Sequence, residues 1–132
     1  MAEDSSEEKK SLEEKVNKAF EEAWSKVNTA VDSMAGRPGE SVMALWLAAE
    51  AVEYTSAVFS LAYGLEDLDP EVKAVRGRDP LGLVQDSIEA LRRARELPWK
   101  SAAEAYSSLR TAAGYLKDAY LDQSKKTAKK SG

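Results

Sequence analysis

The chain has 132 residues, 43% of them hydrophobic and 32% charged, with a formal net charge of −4, which suits one domain built around a single core. It contains no Cys and no His, which excludes disulfides, thiolate chemistry, the commonest general base and the commonest metal ligand. The acidic balance argues against a protein that coats nucleic acid, and the opening MAEDSSEEKK lacks the apolar stretch of a signal peptide, so a cytoplasmic location is expected.

Residues 1–10 are charged without periodicity and are expected to form a disordered acidic tail. SLEE then offers a capping box, with Ser11 as N-cap and Glu14 reaching back. Leu12, Val16, Phe20, Ala23, Val27, Ala30 and Met34 follow at steps of three and four, one stripe along a helix. GRPG at 36–39 is expected to stop that helix with a glycine cap and a proline. A second helix covers about 40–65 and ends near Gly64.

DPEV at 69–72 predicts a short extra helical turn, because Asp69 can cap it and Pro70 suits its first position. The same device at Asp79-Pro80 opens a third helix over about 80–97, with a stripe of Leu81, Val84, Ile88, Leu91 and Ala94. Pro98 breaks it. The last helix, about 99–122, carries Trp99, Ala102, Tyr106, Leu109, Ala113, Leu116 and Tyr120, and residues 124–132 form a lysine-rich tail expected to be disordered. The predicted fold is all-α: an antiparallel four-helix bundle over residues 11–123, with the extra turn between the second and third long helices. Alanine stands at 21 positions, which favours helices, and two Asn with two Gln beside abundant Glu, Lys and Arg match the balance of heat-adapted proteins.

The second helix, SVMALWLAAEAVEYTSAVFSLAYG, is long enough for a membrane span but has Glu50 and Glu53 in its middle and no positive flank. The three amphipathic helices also need somewhere to bury their stripes, so the segment reads as the centre of the bundle. At 100° per residue Glu50, Glu53, Ser56 and Ser60 share one face, expected to be solvated. Ala44, Ala48, Ala51, Thr55 and Ala62 lie opposite, where small side chains let helices approach closely. Leu45, Val52, Phe59 and Tyr63 on one flank, and Leu47, Tyr54 and Leu61 on the other, are expected to fill the grooves beside that seam. Toward the start of the helix the acidic face continues into Val42 and Trp46. With Met43 they are the candidate partner-binding residues, the alternative being that Trp46 tucks beneath GRPG or a tail.

Glu50-x-x-Glu53 followed by Glu66-x-x-Asp69 resembles the paired acids of MazG-type all-helical nucleotide pyrophosphohydrolases. That resemblance implies Mg²⁺-dependent release of pyrophosphate from nucleoside triphosphates, with the two pairs facing each other from antiparallel helices. Here YTSAVFSLAYGL separates the pairs without a turn signal, which strings them along one axis about 24 Å apart. The hairpin formed by IEALRRAREL and AAGYLKDAYL is similar in outline to HEPN-type proteins, whose ribonuclease motif needs a His that this chain lacks. Ferritin-like metal sites need His as well. No enzyme, cofactor or metal is therefore expected; a protein partner or self-association is. The rival reading is a nucleic-acid accessory role for Arg76, Arg78, Arg92, Arg93, Lys125, Lys126, Lys129 and Lys130, set against the acids interspersed among them.

Overall fold

A computed structural model describes residues 2–65, 79–96 and 101–131, with side chains over 10–37, 39–65, 79–96 and 101–126. It contains four helices, α1 (Ala2–Gly36), α2 (Pro38–Tyr63), α3 (Pro80–Glu96) and α4 (Ala102–Ser131), and no strand among the described residues. The predicted all-α helical bundle is the fold observed. The extra turn predicted at DPEV lies outside the described residues.

The helix ends follow local chemistry. Pro38 pushes the residue before it out of the helical region, and Arg37 sits at φ −141° and ψ 68° as a one-residue joint between α1 and α2. Gly36 is not the left-handed cap expected from GRPG, because the proline alone suffices to end α1; Gly64 alone among the described glycines has positive φ. At φ 66° it closes α2, and the backbone N–H of Leu65 donates to the Ser60 carbonyl at 2.9 Å. Asp79 caps α3 as expected, its Oδ1 accepting from the Gly82 N–H at 3.1 Å. α4 begins after Ser101, whose Oγ accepts from the Glu104 N–H at 3.3 Å. SAAE is thus a second Ser-x-x-Glu start signal, which the expected start near residue 99 overlooks.

Both long outer helices overrun their expected ends. α1 starts at Ala2 rather than Ser11, and α4 runs to Ser131 through the lysine-rich stretch. Acidic residues at the start of a helix and lysines at its end both oppose the helix macrodipole favourably, so these charged ends extend helices.

Helix α1 packs on α2, α2 on α4, α4 on α3 and, less extensively, α3 on α1; the pairs α1–α4 and α2–α3 stand across the diagonals. Ser41 meets Gln123, Trp46 meets Tyr120 and Glu53 meets Lys117, so α2 and α4 run antiparallel. The short connection makes α3 antiparallel to α4 as well. Hence α2 and α3 point the same way, and Leu65 and Asp79 lie at opposite ends of the bundle.

Every helix sends the same repeat inward. Val16, Phe20, Ala23, Val27 and Ala30 in α1 are buried, as are Leu45, Ala48, Val52, Thr55 and Phe59 in α2. Val84, Ser87, Leu91 and Ala94 in α3, and Ala105, Leu109, Ala112, Leu116 and Ala119 in α4, continue the pattern. Steps of four and three in strict alternation are the knobs-into-holes period. Along the α2, α3 and α4 seams, and along α1 from Phe20 onward, a bulky residue alternates with Ala, Ser or Thr, so large side chains of one helix fill the space left by small ones on its neighbours. The α3 and α4 seams are offset from the predicted stripes: Leu81 is exposed, Ile88, Tyr106 and Tyr120 are half-buried, and the centre of α4 is its alanine repeat. Buried hydroxyls are satisfied within the bundle. Thr55 Oγ1 has the Ala51 carbonyl at 2.7 Å and the Ala19 carbonyl of α1 at 3.1 Å, and Ser87 Oγ donates to the Val84 carbonyl at 2.6 Å.

Candidate functional site

Helix α2 carries large apolar residues on both flanks and on either side of its acids, so its sequence leaves its rotation in the bundle undetermined. The bundle turns it so that Leu45, Val52 and Phe59 enter the core beside Ala48 and Thr55. The opposite flank is not groove-filling, contrary to the sequence expectation. Leu47 is 39% exposed, Tyr54 57% and Leu61 59%, joined by Met43 at 62% and Trp46 at 45%. The two flanks cannot both be inside, because α1 and α4 occupy only two sides of the helix.

The expected solvated face is corrected too. Glu50 is exposed, but Ser56 and Ser60 are buried and Glu53 is half-buried. α4 lies along that side: Lys117 pairs with Glu53, and the Trp46 ring packs at a tilt against Tyr120, centroids 5.4 Å apart and planes at 52°. Ser56 Oγ turns inward to the Glu53 carbonyl at 2.8 Å. Trp46 therefore rests on α4 rather than beneath the α1–α2 joint, with nearly half its surface still open. Val42 beside it is half-buried.

What remains outward is a continuous ridge. Met43, Leu47, Glu50, Tyr54, Ala57 and Leu61 are all exposed and follow steps of four, three, four, three and four. They share one narrow line along the helix, two residues out of phase with the buried seam. On the α1 side a groove of about 300 Å³ opens to solvent, lined by Ala19, Glu22, Lys26, Leu47, Glu50, Ala51 and Tyr54. Of the three residues expected to face a partner, Met43 and Trp46 are exposed and Val42 is half-buried; Leu47, Tyr54, Ala57 and Leu61 are exposed beside them, which the sequence expectation does not include. The missed signal was a second seven-residue repeat inside a segment that already carries one.

Glu50 and Glu53 do not converge on one another. Glu53 turns to Lys117 and Glu50 to the α1 groove, while Glu66 and Asp69 lie outside the described residues. Among the described residues no group of three acidic side chains could hold a metal ion. The basic candidates are likewise divided. Arg92 is held by Glu89, whose hydrogen bond and charge raise its already high pKa, and lies 3.9 Å from Glu96. Arg93 is exposed near the end of α3. Lys125 and Lys126 lie toward the other end of the bundle, on the order of 30 Å away, and Lys126 pairs with Asp122 at 3.5 Å. Lys129 and Lys130 belong to the last turn of α4, with side chains outside the description, and Arg76 and Arg78 are outside it altogether.

Gly39–Tyr63 in α2 is the one described stretch long and apolar enough to cross a membrane by length and composition, with 44% of it buried inside the bundle. Comparison with family models, curated proteins and solved structures finds no match for this chain.

Proposed function

We propose that the chain is a non-enzymatic protein–protein interaction module, an accessory or scaffolding subunit of a larger cytoplasmic assembly or a homo-oligomer, and that the outward ridge of α2 is its contact surface. The supporting observation is that the exposed apolar residues of α2 are aligned rather than scattered, with Leu81 and Leu121 the large exposed apolar side chains described elsewhere. Single exposed leucines need no explanation, but a line of Met43, Leu47, Tyr54 and Leu61 with Trp46 at its side has the composition of a contact patch. A repeat averaging 3.5 residues is what a helix presents to another helix. The described basic groups support a nucleic-acid role less well, because they are divided between the two ends of the bundle and partly neutralised by Glu89, Glu96 and Asp122.

The test uses the full chain purified from its native host, with Met43→Glu and Leu61→Glu as variants at exposed positions. Wild type is expected to carry a partner or form a larger particle, and the variants are expected to lose it while keeping their helical circular dichroism. Unchanged particle mass and co-purifying proteins in folded variants would refute the reading.

A further inference from the structure

We infer that the partner on this ridge is a second copy of the chain, whose α2 packs antiparallel against the first about a two-fold axis level with Val52. This rests on the interaction reading above and names its partner.

The spacing of the ridge is the same read from either end. A two-fold axis at Val52 therefore sets every ridge residue opposite another ridge residue: Met43 against Leu61, Leu47 against Ala57 and Glu50 against Tyr54. The chemistry of each pair is complementary. Leu47 meets the small Ala57, two flexible apolar chains meet at Met43 and Leu61, and the only charge in the ridge meets its only hydroxyl. The Tyr54 O–H can donate to the Glu50 carboxylate, a charge-assisted bond that satisfies an acid otherwise desolvated by the contact.

A parallel pairing lacks this fit. Each residue would meet its own copy, placing Glu50 on Glu50 and Ala57 on Ala57, with like charges in contact at one level and a void at the other. In the antiparallel register the two Glu50 side chains are offset by four residues, about 6 Å along the axis, in addition to the distance between the helices. The groove lined by Ala19, Glu22 and Lys26 opens at the level of Glu50, where the Tyr54 ring of the second copy arrives.

Met43 to Leu61 spans about 27 Å of helix. With its rims, such a ridge buries on the order of 1,000 Å² over both copies, the lower bound for a specific interface. The dimer is accordingly concentration-dependent.

Charge-swap variants at exposed positions test the register. Sedimentation of wild type should give a monomer–dimer equilibrium, and Leu47→Glu or Ala57→Lys alone should weaken self-association about tenfold or more, by burying an unpaired charge. Mixing L47E with A57K should restore dimers, because positions 47 and 57 face each other only in this arrangement. Helical circular dichroism of each variant confirms that the fold is retained. Recovery by L47E with L47K instead would assign a parallel pairing and overturn the inference. So would a wild type that stays monomeric at all concentrations or floats with phosphatidylcholine vesicles. A monomeric wild type that still loses a different co-purifying protein on Leu61→Glu substitution would sink the second copy alone and leave the interaction module standing.

Discussion

Helix α2 carries two seams of identical period, and only one of them is inside. The inner seam of Leu45, Ala48, Val52, Thr55 and Phe59 contains no charge and alternates large with small residues. The outer seam of Met43, Leu47, Glu50, Tyr54, Ala57 and Leu61 has the same alternation of steps but places an acid and a phenol at its centre. Period identifies a helix that packs. It does not say which side packs first. The distinguishing feature is whether each polar group on the seam can find a partner within the bundle, as Thr55 does at the Ala19 and Ala51 carbonyls.

Stability measurements can break this comparison. Phe59 lies fully buried against Phe20 and Tyr63, with centroids at 6.4 and 4.5 Å, and Phe59→Ala should cost about 3–5 kcal/mol in urea unfolding. Leu61→Ala, on the outer seam two residues away, should cost less than about 1 kcal/mol in dilute protein. Similar losses at the two positions would end the distinction between the seams. Gly64→Ala, at the end of both seams, should cost about 1–2 kcal/mol, since an L side chain is strained at φ 66°.

Residues between the two seams, along α4, sharpen the comparison. Trp46→Ala removes the ring contact with Tyr120 and should cost about 1 kcal/mol. A smaller effect is expected from the Glu53–Lys117 pair: a double-mutant cycle should find less than about 1 kcal/mol, since the side chains are 35% and 55% exposed. That coupling should shrink further in high salt. A larger, salt-insensitive coupling would mean that α4 shields this edge more fully than its exposure implies.

The smallest effect is alkaline. Burial, and then the charge of Glu13, raises the Tyr63 phenol above its ordinary 10.0. The unfolded chain therefore loses that proton first, so stability falls as pH rises through and above about 10. Tyr63→Phe should flatten this slope, measured as melting temperature against pH. A slope unchanged in the variant would assign the alkaline loss to other groups.

Much of the architecture was legible residue by residue. Asp79-Pro80 and Gly64 marked helix ends because capping and left-handed φ are properties of a few neighbouring residues. The first helix's stripe from Val16 to Ala30 was readable because its apolar positions are separated by charged ones. α1 and α4 outrun their expected lengths because a charged segment without apolar periodicity looks like a tail, although its charges suit the helix end it occupies. The outward ridge of α2 is half legible. Trp46 and Met43 stand out by type, whereas Leu47 and Leu61 are expected to fill grooves beside the seam because nothing local distinguishes an inward leucine from an outward one.

The sequence by itself determined that four helices form, roughly where they start and stop, and that three of them have one wet side. Backbone hydrogen bonding, proline and glycine geometry and periodic burial act within a few turns, so these outcomes need no distant partner. Only the tertiary structure decided how α2 is rotated, that it runs parallel to α3 across the diagonal, and that Lys117 and Tyr120 cover the side where Ser56 and Ser60 lie. A helix with large apolar residues on most of its circumference gains nearly the same burial free energy in several orientations, and the fit of large against small residues on its neighbours selects among them.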